Sequence, residues 1–161
     1  MKLSDRADIE APADFVWSQL TDFDGWERAA LRRGAEVARL DSEPVPVAGM
    51  AWAVAFVWRG KTRKLDLRTT AVDPGHRLAF AATGPNVEGT LGLDLVDMGP
   101  KRSRLTAGLE VRPRTLTARL FLQGLKLARS RVDRRFSMRL RQLSAEIEGR
   151  WQATQAQAAR R

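Results

Sequence analysis

The stretch FLQGLKLARSRVDRRFSMRLRQLSAEIEGRW, residues 121–151, decides the fold. Phe121, Leu125, Ala128, Val132, Phe136, Leu140, Leu143, Ile147 and Trp151 recur in it at spacings of three and four. That is one apolar stripe on a 3.6-residue period, so a helix with a single dry side is predicted. Arg119, Lys126, Arg134 and Arg141 project from the opposite side. A dry stripe this long needs another dry surface to cover it, and the upstream chain supplies one.

Between Gly34 and Val111 the apolar period changes from 3.6 to two. GAEVARLD reads as a strand, and EPVPVAG as a Pro-punctuated turn. MAWAVAFVWRG sets Trp52, Val54, Phe56 and Trp58 on one face, with Ala51, Ala53 and Ala55 on the other. Further runs carry Leu65/Leu67, Leu78/Phe80/Ala82, Val87/Leu91/Leu93/Leu95 and Leu105/Ala107/Leu109/Val111. Turn signals fall between them at Asp73-Pro74-Gly75, Gly84-Pro85-Asn86 and Gly99-Pro100. Short connections between successive strands predict an antiparallel meander with one dry face and one wet face.

At the N-terminal end Leu3, Asp5, Ala7 and Ile9 alternate with polar neighbours, which predicts a further strand. Pro12 opens a short helix over 13–20 with Phe15, Val16 and Leu20 inward. A second short helix, capped by Asp22 or Asp24, carries Trp26, Ala30 and Leu31 and ends at Gly34. The order is strand, two short helices, a strand meander and a long C-terminal helix. One dry sheet face and one dry stripe bury each other only if the sheet curls around the helix.

That order, with IEAPADFVWSQLTDFDGWERA and the later VDPGHRLAF, resembles the START/birch-allergen-like superfamily, known as SRPBCC. This superfamily includes bacterial polyketide cyclase/dehydrase and lipid-transport proteins. The resemblance covers residues 2–148. It implies an α+β helix-grip fold, with about seven curved antiparallel strands around the long C-terminal helix. It also implies an apolar tunnel for lipids, polyketides, isoprenoid quinones or sterols, but brings no family-wide catalytic motif. One domain over residues 1–150 is expected, with 151–161 as a frayed basic tail.

The tunnel is expected to be lined by Leu67, Phe80, Leu91 and Leu93 from the sheet. Phe121, Leu125, Val132 and Phe136 face them from the helix stripe. Trp52, Phe56 and Trp58 either line the space or plug it.

The chemical inventory is sparse. The chain has no cysteine, no tyrosine and one histidine, His76, beside a turn. Disulfides, a thiol nucleophile and a Cys-ligated metal are thereby excluded. Glu88, Asp94, Glu110 and Asp66 alternate with leucines on their strands, which assigns them to the wet face. No two carboxylates are spaced as a general acid/base pair. Neither a cofactor nor a catalytic group is indicated, and a tunnel enzyme of the cyclase/hydrolase type stands as the alternative to a binder.

Charge is distributed unevenly. Residues 1–112 carry 16 basic and 16 acidic side chains, whereas residues 113–161 carry 12 and three. Most of these cations oppose or flank the stripe, where long stems cover its apolar edges. Arg139 falls at nearly the angle of Phe121 and Val132, with Arg135 beside it. A charge aimed at an apolar cavity needs a partner, so these two are the candidates for meeting a ligand's polar head.

A helix over 115–149 measures about 52 Å, against about 33 Å for a ten-residue strand. One end must overhang or the helix must break, and Gly124 is the candidate break. Leu116, Leu120, Leu122 and Leu127 make residues 116–129 apolar on a second side, beside Arg119, Lys126 and Arg129. That suits an anionic membrane surface, contact with the two short helices, or a homodimer contact. Nucleic acid is a weaker candidate, because Phe136, the one aromatic in the arginine run, belongs to the stripe. The polar N-terminus, MKLSDRADIEAP, and the lack of a long apolar run point to a cytoplasmic protein.

Overall fold

The computed structural model describes residues 1–161. β1 (Lys2–Ile9) precedes α1 (Ala13–Leu20) and α2 (Phe23–Arg32). β2 (Glu36–Arg39), β3 (Ala51–Trp58), β4 (Lys61–Asp73), β5 (Arg77–Thr83), β6 (Val87–Asp97) and β7 (Ser103–Pro113) follow. Two helices end the chain, α3 (Leu116–Leu127) and α4 (Arg129–Ala159).

The strands form one antiparallel sheet in the order β1-β7-β6-β5-β4-β3-β2. From β2 to β7 each strand pairs with the next, as the period-two runs require. β1 instead joins β7, and α1 and α2 carry the chain from that edge of the sheet to the other.

The register brings the apolar positions onto one face. Trp52, Leu67, Ala82, Gly89 and Val111 form one rung across β3 to β7. Thr69, Phe80, Leu91, Leu109 and Leu3 form the next. A bulge between Thr69 and Ala71 lets Thr69 and Val72 both face inward. Thr69 is buried there, its hydroxyl accepting from the Met50 N–H at 3.0 Å and donating to Val47 O at 2.6 Å.

Packing along this face is uneven. At one end Leu78, Leu95, Leu105 and Ala107 join Ile9, Val16, Leu20, Phe23, Leu140 and Ile147 in a closed core. At the other end the inner residues are only half-buried, among them Phe56, Leu65, Leu91, Leu109 and Val111. The asymmetry has a cause: α1, α2 and the middle of α4 all lie over the first end, while α3 alone reaches toward the second.

Three local expectations change. Phe23 is the buried residue of α2, whereas Trp26 and Leu31 are 39% and 54% exposed; Asp22 provides its cap, accepting from the Gly25 N–H. The C-terminal helix breaks at Ala128 rather than at Gly124, which lies within α3. Ala128 leaves helical geometry (φ −107°, ψ 29°), and the next residue, Arg129, donates to Lys2 O and pairs with Asp133. Finally, the segment 151–159, expected to fray, continues α4 to Ala159, with Trp151 against Phe15 at 5.0 Å between ring centroids.

Candidate ligand-binding cleft

The half-buried end of the inner face encloses a cavity of about 290 Å³. Its floor is Leu65 and Leu67 of β4, Phe80 and Ala82 of β5, Leu91 of β6, and Leu109 and Val111 of β7. Two small residues create the hollow. Ala82 and Gly89 sit side by side in a rung otherwise made of Trp52, Leu67 and Val111. A Cβ on Gly89 would lie 2.9 Å from Glu110 O, so close strand approach requires glycine there. Large side chains surround a gap that neither of these two can fill.

The inner end of the cleft is closed by Trp52. Its ring packs edge-on to Phe23 at 5.3 Å and lies 6.5 Å from Phe80, and its Nε1–H donates to Glu27 Oε1 at 2.8 Å. Trp52 therefore plugs the space, while Phe80 is shared between plug and cleft. The outer end is built by the β3–β4 hairpin and α3. Trp58 meets Phe121 at 5.6 Å with the rings at 85°. Arg59 lies 4.7 Å over the Trp58 ring and 5.0 Å over Phe121, and Arg63 lies 5.5 Å from Trp58.

Of the residues expected to line a tunnel, Leu67, Phe80 and Leu91 come together in this cleft. Phe56 stands half-buried on the same face toward the mouth, between Trp52 and Trp58. Leu93 and Phe136 pack instead on the closed core. Leu125 and Val132 are half-buried on either side of the helix break.

The two arginines expected at a ligand's head are elsewhere. Arg135 and Arg139 are exposed, and Arg139 Nη1 donates to Gln142 Oε1 at 3.4 Å along the same helix. Arg139 lies about 100° around α4 from Leu140, the buried centre of its inner side. That places it on the solvent flank of the stripe.

The cation the sequence reading passed over is Arg63. It shares the inner parity of Leu65 and Leu67 on β4, and that parity was the signal. The flanking Lys61 and Lys64 disguised it as part of a charged turn.

One carboxylate, the exposed Glu88, borders the cleft; no other ionisable side chain is among its lining residues. Asp94 pairs with Arg77 at 2.7 Å and Glu110 with Arg112 at 2.9 Å, both on the outer face, and His76 is exposed. Asp5 faces α4, where the Ser137 hydroxyl and then the Arg6 N–H hold its carboxyl below the usual range. No group of three His, Cys, Asp or Glu side chains is arranged to hold a metal ion. A larger concavity, about 740 Å³, is an open groove between α1 and the β6–β7 turn. Only three of its nine lining residues are hydrophobic and none belongs to the cleft, so the smaller cavity is the better small-molecule site.

A curved antiparallel sheet gripping a C-terminal helical segment, with an apolar hollow between them, defines a helix-grip protein of the START/birch-allergen-like class. The chain belongs to the polyketide cyclase/dehydrase and lipid transport family, which matches residues 1–148. The Zhui aromatase/cyclase of Streptomyces sp. R1128 is similar in fold, with a TM-score of 0.69 and 19% identity over 93% of this chain and 94% of that one. A protein of Thermus thermophilus gives a TM-score of 0.64 and 17% identity, covering 91% and 97%. A START superfamily protein from Mycobacterium smegmatis gives 0.56 and 13%, covering 85% and 97%. No curated protein sequence matches the chain.

Proposed function

We propose that the chain binds, and in that form transports, a hydrophobic small molecule or lipid in the cleft between sheet and α3. The observation that carries this reading is the Ala82–Gly89 gap, an apolar hollow left open beside an otherwise closed core. Eight of its eleven lining residues are hydrophobic, and an apolar guest gains by leaving water for such a wall. The family's range, from cyclases to lipid carriers, supports a guest of this kind. A cyclase-type enzyme is the alternative, and the Zhui likeness keeps it in view. It requires an ionisable group that reaches a bound substrate.

Native mass spectrometry after incubation with a medium-chain alcohol tests the reading. Wild type should take up one molecule. Ala82→Leu, which fills the gap, and Leu91→Arg, which places a charge in it, should lose uptake while keeping a cooperative melt. Uptake unchanged in both variants would contradict the reading.

A second reading concerns α3. Leu116, Leu120 and Leu127 are 72%, 60% and 93% exposed. At 100° per residue they lie within about 40° of one another, opposite the buried Ala118 and Leu122. Arg119 and Lys126 flank them. Exposed leucines edged by cations fit the interface of an anionic membrane. No helix is long and apolar enough to cross one.

A further inference from the structure

Arg63 stands apart from the chain's other inward-facing residues. It lies on the inner face of β4, one alternation beyond Leu65, about 7 Å along the strand from the cleft floor. Six of the 23 arginines have a carboxylate within 4.0 Å, and of the other seventeen Arg63 alone has a buried side-chain nitrogen with no hydrogen-bond partner. That nitrogen is Nε. A buried donor left unpaired is costly, and it is costlier when charged.

Arg59 adds a second cation at the same place. It occupies the two-residue β3–β4 turn with φ 51°, followed by Gly60 at 73°. A turn with both central residues at positive φ favours Asn, Asp or Gly at the first position. Here arginine holds that strained conformation with its guanidinium over Trp58 and Phe121. Two guanidinium groups thus lie within 5.5 Å of one indole ring, with no carboxylate pairing either. An oxyanion at the cleft mouth would satisfy the orphaned Nε–H of Arg63 and meet a second cation held on the same indole. A planar guanidinium binds a carboxylate through two parallel N–H bonds, and Nε–H with one Nη–H forms such a pair.

We infer that Arg63, assisted by Arg59, is an anion clamp, and that the ligand is an amphiphile with a carboxylate head and an apolar body. The head meets the guanidinium beside Trp58, and the body runs past Leu65 into the hollow over Ala82 and Gly89. The inference rests on the binding reading above and specifies the ligand class of that same site.

Calorimetric titration of the full chain with decanoate and with decan-1-ol, below their aggregation thresholds, separates the two claims. Wild type should bind decanoate about ten-fold or more tighter than the alcohol. Arg63→Gln should abolish that preference while leaving alcohol affinity within about two-fold. Arg63→Met, which keeps an apolar stem, should do the same if Arg63→Gln folds poorly. Arg68→Gln removes one charge from the outer face and should retain the preference, which separates the clamp from general attraction by the net charge of +9. Equal affinity for both ligands in wild type overturns the clamp and leaves the cleft standing, as does a preference that survives Arg63→Gln. Binding of neither ligand overturns both.

Discussion

Trp58 and Phe121 meet edge to face, 5.6 Å between ring centroids, and at this point the sheet and the C-terminal helical segment close on one another. The contact joins the tip of β3 to α3 across the outer end of the hollow. Beyond it Trp58 is 43% exposed, so the closure is a contact at a mouth, not a seal.

A double-mutant cycle of Trp58→Ala and Phe121→Ala, read by urea unfolding, should therefore give a coupling of about 0.5–1.5 kcal/mol, the usual strength of an aromatic pair. The single variants should weaken uptake of an apolar ligand more than they lower stability. A coupling of zero would detach α3 from the mouth.

The uneven packing predicts uneven truncation costs. Ile147 is fully buried between sheet and α4, so Ile147→Ala should destabilise by about 2–5 kcal/mol. Leu91 borders an existing hollow and is half-buried, so Leu91→Ala should cost clearly less, because few atoms lose contact. Equal losses in chemical denaturation would mean that the two ends are packed alike.

How much of this is legible in the sequence follows from the physics of each element. The strands are readable because period-two alternation survives wherever one face is dry, and the meander from β2 to β7 because its connections are short; the pairing of β1 with β7 is not. The helix break is not, because it lies at Ala128 and depends on Arg129 reaching Lys2 O, a contact 127 residues apart in sequence. Arg139 still lies near the angle of Val132, but α4 buries the line of Leu140, Ser144 and Ile147, about 100° away, and Val132 itself is only half-buried on the flank of that line. The helical tail is legible in kind, since QATQAQAA is rich in helix formers; exposure alone does not make it fray. The hollow itself comes from Ala82 and Gly89 meeting on adjacent strands, and register is not visible in one sequence.

Membrane docking should depend on the outer leucines of α3. Wild type should co-sediment with vesicles containing anionic phospholipid and release from them as salt rises. Leu127→Asp and Leu120→Asp should lose binding several-fold. Their stability should stay within about 0.5 kcal/mol of wild type, because both positions are exposed. Binding that persists in both variants contradicts the docking face.

Acid should act through Asp41. Its carboxylate accepts from Arg39 Nη2 at 3.1 Å, the Ala51 N–H at 2.8 Å and the Glu43 N–H at 3.0 Å. The Arg39 bond, then the Ala51 N–H, hold its pKa down to about 2 from an ordinary 3.8. A carboxyl depressed on folding stabilises the protein above its unfolded pKa, and that contribution is lost as pH falls through the folded value. Asp41→Asn should thus lower Tm at pH 7, and the gap to wild type should close between about pH 4 and pH 2. Parallel Tm curves across that range would show that the Asp41 contacts contribute nothing.

The most direct test of the cleft is methyl NMR of the full chain titrated with decan-1-ol, a neutral ligand that does not depend on Arg63. Saturable, one-to-one shifts at the methyls of Leu65, Leu67, Leu91 and Leu109 are expected, with Ile147 and Leu105 in the closed core unmoved. Shifts confined to Leu116, Leu120 and Leu127 on the outside of α3, or none at all, would contradict a guest between sheet and helix.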